Sequence, residues 1–104
     1  MENVNKVELK GILGSIRITE ISGIKHARFS VATKYELDGK LATTWTAVLA
    51  WQSDALGMDL SDLRQGMNIS IVGRLHNQFY VDAKGVDRSF TEVIAQNISI
   101  IKED

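Results

Sequence analysis

The sequence predicts an all-β, five-stranded barrel with one short helix between strands three and four and two extended β-hairpin loops. Three observations carry this expectation. Runs of alternating apolar and polar residues recur along nearly the whole chain. One segment, residues 53–66, breaks the alternation with leucines and acids and closes on glycine. No proline occurs in the 104 residues, so glycine and Asx residues supply all the punctuation.

The first strand is read over Asn5 to Leu13, where Val7 and Leu9 alternate with Lys6, Glu8 and Lys10. Gly11 and Gly14 bracket Ile12-Leu13 and mark a bend or bulge rather than an end to the pairing. Ile16, Ile18 and Ile21 carry the pattern on to a Ser22-Gly23 turn. From about His26 to Lys34 a second strand puts Ala27, Phe29, Val31 and Thr33 on one face and Arg28, Ser30, Ala32 and Lys34 on the other. Asp38-Gly39 is a strong hairpin signal, and Thr43 to Trp51 follows with β-branched and aromatic residues. Leu56, Met58, Leu60 and Leu63 then fit a short helix beginning near Asp59 and stopped at Gly66. In the fourth strand Met67, Ile69, Ile71 and Leu75 alternate with Asn68, Ser70, Val72 and Arg74. The Lys84-Gly85 tip leads into a last strand with Ile94, Ile98 and Ile100 read in period two.

Length fits one domain, residues 1–104. The hydrophobic fraction of 44 % is that of a globular chain rather than a disordered one. Cysteine is absent, which excludes disulfides, thiolate metal sites and cysteine nucleophiles. His26 and His76 are the whole histidine complement and make a zinc site improbable; no cofactor is called for. No stretch reaches the roughly 20 apolar residues of a membrane span, nor does the N-terminus resemble a signal peptide, so a cytoplasmic location is expected. A net charge of −1 speaks mildly against a nucleic-acid binder. That sum conceals an asymmetry: Asp54, Asp59 and Asp62 cluster, whereas Lys6, Lys10, Arg17, Lys25, Arg28 and Lys34 outnumber the acids around them. For catalysis, Asp82 and Asp87 are explained by turn chemistry, Ser53 lacks a histidine partner, and there is no phosphate loop. No enzyme is expected.

Three strands, a helix, then two strands is the order of the oligonucleotide-binding (OB) fold, a Greek-key barrel. An SH3-like barrel or a small open sheet matches the strand count but not the helix slot. Val4-Asn5-Lys6-Val7 with Gly11-Ile-Leu-Gly14, Phe29-Ser-Val-Ala-Thr33, Thr44-Trp45 leading to Val48-Leu49-Ala50-Trp51, Ile71-Val-Gly73-Arg-Leu75 and Thr91-Glu92-Val93 together resemble bacterial single-stranded DNA-binding proteins, over roughly positions 4 to 101. The resemblance implies sequence-independent binding of single-stranded DNA by base stacking and phosphate contacts, in replication, recombination or repair. It puts Trp45, Trp51 and Tyr80 at stacking positions and Lys6 near the groove. Leu37 stands where the family has a fourth aromatic, for which Tyr35 is the substitute. It also implies a homodimer or homotetramer assembled through N-terminal strands, with Val7 and Leu9 as interface candidates, and contacts with other replication proteins.

Departures bear on affinity. A basic residue usual two positions after the first tryptophan is Ala47 here, the histidine that often follows that tryptophan is Thr46, and His76-Asn-Gln-Phe79 replaces a basic run. Binding carried more by stacking than by charge is the expectation. The family commonly adds a glycine-rich linker and acidic tip; a chain ending at Asp104 reads as a trimmed piece or a short variant without that recruiting role.

Taken without the resemblance, the stripe Trp45, Ala47, Leu49 and Trp51 reads as core, because large apolar residues favour burial. The opposite stripe, Thr44, Thr46, Val48 and Ala50, is small enough to line a tight barrel instead. The resemblance turns the tryptophans outward. Phe79 and Tyr80 must point to opposite faces, with Tyr80 the DNA candidate and Phe79 the core or interface one. Arg28, Lys34 and Arg74 are read both as phosphate contacts and as ordinary solvated cations. Two other functions stay open: a primosomal replication protein of the same fold, and a protein-interaction module that has lost DNA binding. A cationic groove favours DNA; acidic or neutral walls favour the interaction module.

Overall fold

The computed structural model describes residues 1–102 and is a closed five-stranded barrel. Its strands are β1 (Val7–Ile21), β2 (Ile24–Leu37), β3 (Lys40–Trp51), β4 (Asn68–Val81) and β5 (Asp87–Ile100), in the order β1-β2-β3-β5-β4, with β4 returning to β1. All neighbours are antiparallel except β3 and β5, whose parallel seam runs through Val48–Val93 and Leu49–Ile94. This is the Greek-key closure of an OB fold.

Each strand is long because it serves twice. Residues 7–12 of β1 pair with β4, and residues 12–21 pair with β2. The change of partner is made possible by glycine: a Cβ on Gly11 would stand 2.2 Å from the Ala32 carbonyl oxygen. Just beyond, Gly14 and Ser15 together oppose Ser30, the bulge that the glycine spacing suggested. The Asp38-Gly39 turn has both residues at positive φ, as a type I′ hairpin requires.

The core is built from alternate residues of every strand: Leu13 of β1; Ala27, Phe29 and Val31 of β2; Val48 and Ala50 of β3; Ile69 and Ile71 of β4; Val93, Ala95 and Ile98 of β5. Beyond this core, β2–β3 and β4–β5 run on as two-stranded arms. They give a radius of gyration of 15.3 Å, against about 13 Å for a compact chain of this length.

Two expectations need correction. Residues 53–66 do not form the short helix; they make two separate 3₁₀ turns, Asp54–Leu56 and Leu60–Asp62. Gly57 at φ 94° ends the first. The Gln52 side chain then takes the local backbone groups for itself, donating to the Met58 carbonyl and accepting from the Leu60 N–H. Asp59 caps the second turn through the Ser61 N–H. What the leucines do is plug the barrel: Leu56, Leu60 and Leu63 are all buried in the core.

The second correction concerns period two in β5 and β4. Gln96 is a bulge: Gly73 faces Ala95 and Val72 faces Asn97. One inserted residue flips the parity, so Val93 and Ala95 point inward before it and Ile98 after it, while Ile94 lies on the outer side, level with Leu49. Leu75 does not continue the buried Ile69–Ile71 stripe; it is half exposed, because β4 has left the barrel for its arm.

Candidate nucleic-acid interface

The outward face of β3 carries the site. Val48 and Ala50 fill the barrel, which leaves Trp45, Ala47, Leu49 and Trp51 on the outside. Trp45 is 61 % exposed and Trp51 41 %, so the tryptophan stripe faces solvent; of the small stripe Val48 and Ala50 line the interior, Thr46 is half-buried and Thr44 is exposed. The Trp45 ring lies over Gly14: a Cβ there would come 2.7 Å from Trp45 Cζ3. Trp51 is flanked by His26, with ring centroids 6.3 Å apart.

Register brings cations onto the same face. Arg28 pairs with Leu49, Ser30 with Ala47, Ala32 with Trp45 and Lys34 with Thr43, so Arg28 and Lys34 share the tryptophan side. Arg17 of β1 stands opposite Arg28. The result is three open grooves, the first two sharing Arg17 and Arg28. One, of about 530 Å³, lies among Arg17, Arg28, Trp45, Ala47, Phe90 and Glu92. A second is bounded by Arg17, His26, Arg28 and Leu49, and a third by Trp51, Arg74 and Ile94.

Arg28 has a second duty. Its Nη1 donates to Glu92 Oε2 at 2.9 Å, and the Glu92 side chain is only 1 % exposed. Ala47 stands where the family usually has a cation, and the guanidinium that meets the acid in this groove comes from β2 instead. Among the described residues Arg17 and Arg74 line the grooves without an ion pair of their own, while Glu92 is paired with Arg28. Apart from that paired glutamate, the charged residues of these walls are arginines.

The other candidates are dispersed. Tyr80 and Phe90 meet on one face of the β4–β5 arm, ring centroids 6.1 Å apart. Phe79 is neither core nor packed there: it is largely exposed on the arm's opposite face. Tyr35 is half exposed but pairs with Ala42, on the side of the β2–β3 arm away from Trp45. Lys6 precedes β1, forms an ion pair with Glu8 at 3.2 Å, and lines none of the three grooves. Two groove residues were not singled out from sequence, Arg17 and Phe90. The signal for Arg17 was available, since a cation opposite Arg28 follows from pairing the first two strands.

The arm's turn is held by Asp82, which accepts from the Lys84 and Val86 N–H groups and from Arg88 Nε. Those bonds, that from Val86 foremost, hold its carboxyl below the usual aspartate range.

Comparison with known proteins gives a family and a set of similar solved structures. Residues 4–101 match the model of the Single-strand binding protein family. The structure described as a Plasmodium falciparum SSB complex with ssDNA is similar over 98 % of both chains, with a TM-score of 0.79 and 25 % identity. No curated protein matches the chain.

Proposed function

We propose, because the chain belongs to the single-strand binding protein family, that the tryptophan-bearing face of β3 is where it holds single-stranded DNA. The chain binds the strand by stacking bases on Trp45 and Trp51, each stack contributing about 1–3 kcal/mol. Arg17, Arg74 and Lys34 neutralise phosphates, while Arg28, its charge met by Glu92, offers the strand its exposed guanidinium edge and Tyr80 reaches it from the arm. The observation that carries this reading is the exposure of both tryptophans on one strand face with arginines in the grooves between them. Lys6 and Tyr35 lie away from those grooves and contribute less.

The role is one of binding rather than catalysis, in replication, recombination or repair, in the cytoplasm and on nucleoid DNA. Residues 7–11 of β1 are paired only on the β4 side, and such an edge suits pairing with a second copy. In that homodimer or homotetramer the partner meets the free backbone edge of residues 7–11, where Val7 and Leu9, the interface candidates, are only partly buried against their own core. Other replication proteins are further partners. The cationic walls support this reading over a protein-interaction module.

The test is a titration of tryptophan fluorescence with oligo-dT and with a duplex control. Quenching by the single strand alone, weakened in folded Trp45→Ala and Trp51→Ala variants, is expected. Three neutralised phosphates give a log–log salt slope of roughly −2. Absence of binding at low salt refutes the proposal.

A further inference from the structure

Phe90 lies outside the family's stacking set, yet it lines the same groove as Trp45. The parallel seam joins Val48 to Val93. Three residues back along each strand, Trp45 and Phe90 lie on the outward side of the sheet, because three steps invert the inward direction of Val48 and Val93. From there β3 and β5 diverge, one into the β2–β3 arm and the other into the β4–β5 arm. Both side chains therefore border the gap left between the diverging strands, Trp45 from the β3 side and Phe90 from the β5 side.

The gap is the groove of about 530 Å³. Ala47 puts only a methyl into its floor, and Ser30 is its small neighbour on β2. Arg28, held by Glu92, closes one side with its guanidinium half exposed, and Arg17 stands at the rim. Phe90 is 40 % exposed and is braced from behind by Tyr80. An apolar aromatic left open to water, with a second aromatic lining the same groove and arginines beside it, suits one nucleotide: a flat base with an anionic phosphate.

We infer that Trp45 and Phe90 bound a slot for one base of the single strand, with Arg17 taking its phosphate, and that Phe90 links this slot to Tyr80 on the arm. This rests on the stacking reading given above and adds a residue to it. The slot takes any base, since a π-face is all that it contacts.

The experiment measures anisotropy of labelled oligo-dT and of an abasic oligonucleotide of equal length, at low salt. Phe90→Leu keeps apolar bulk against Tyr80 and removes the ring. It should weaken oligo-dT binding by roughly 5- to 150-fold, leave binding of the abasic strand unchanged, and be rescued by Phe90→Trp. Ala47→Leu fills the slot while keeping both aromatic residues and should weaken oligo-dT binding likewise, so the question is decided even where Phe90→Leu does not fold. Oligo-dT binding unchanged in the folded variants, while Trp45→Ala is impaired, overturns the slot and leaves the general reading standing. An equal loss on the abasic strand also overturns it. Wild-type protein that binds no oligo-dT overturns both.

Discussion

Removing the Arg28 side chain should cost stability as well as binding. Glu92 is a carboxylate with a 1 % exposed side chain, and its Oε1 has no hydrogen-bond partner among the described residues. Arg28 is therefore its charge partner. Removing one member of a buried ion pair typically costs about 3–5 kcal/mol, because a charge is left without compensation. The Arg28 side chain is itself 53 % exposed, and water entering its place recovers part of that. Arg28→Ala should thus lose about 2–3 kcal/mol, or roughly 8–20 °C in Tm for a domain of this length. Glu92→Gln keeps an acceptor for the guanidinium and removes the buried charge, so it should cost less. For the same reason the double variant should be more stable than Arg28→Ala alone. Urea unfolding of the four proteins, read by circular dichroism, measures all three quantities. An Arg28→Ala variant within about 0.5 kcal/mol of wild type, the spread of ordinary surface changes, would refute the reasoning.

Other perturbations follow from single contacts. Gly73→Ala places a Cβ 2.2 Å from the Ile94 carbonyl oxygen; backbone must move, and urea unfolding should show a loss of about 3 kcal/mol or more. Gly14→Ala meets side-chain atoms instead, Ser30 Oγ at 2.5 Å and Trp45 Cζ3 at 2.7 Å. It should fold with a loss of about 1 kcal/mol but displace the Trp45 ring, giving a shifted emission maximum and weaker oligo-dT quenching. The Lys25 ammonium, with help from the Ser61 N–H, lowers the Asp59 carboxyl to about 2. Since the folded value lies below the unfolded one, its contribution is present above about pH 4 and is lost as pH falls toward 2. Melting curves of wild type and Asp59→Asn should therefore converge through that range; a gap that stays constant down to pH 2 refutes the assignment.

The parts of this molecule legible in the sequence are those decided locally. Alternation reveals a strand, Asp38-Gly39 reveals its hairpin, and paired glycines reveal the β1 bulge, because each depends on a few consecutive residues. The outward tryptophans were legible only by elimination: size alone argues for burial, while the small Thr46, Val48 and Ala50 stripe and the family resemblance argue against it. The β5 parity was not legible, since the Gln96 bulge is imposed by the register of β4. The helix expectation failed because Gln52, outside the segment, competes for its backbone groups. Phe90 was missed for a related reason. Its importance comes from a parallel seam between strands far apart in sequence, and no local pattern announces which residues will face each other there.

That seam also bears on how the chain reaches its fold. β1, β2 and β3 are successive hairpins, and β4 and β5 are another, so each group can assemble from near neighbours at modest entropic cost. Joining β3 to β5, like joining β1 to β4, is non-local by comparison, since these two seams unite the groups into a ring. The face proposed to hold DNA lies across the β3–β5 seam. A bound strand should therefore act as a clasp, slowing the seam's opening more than it slows the fraying of either hairpin.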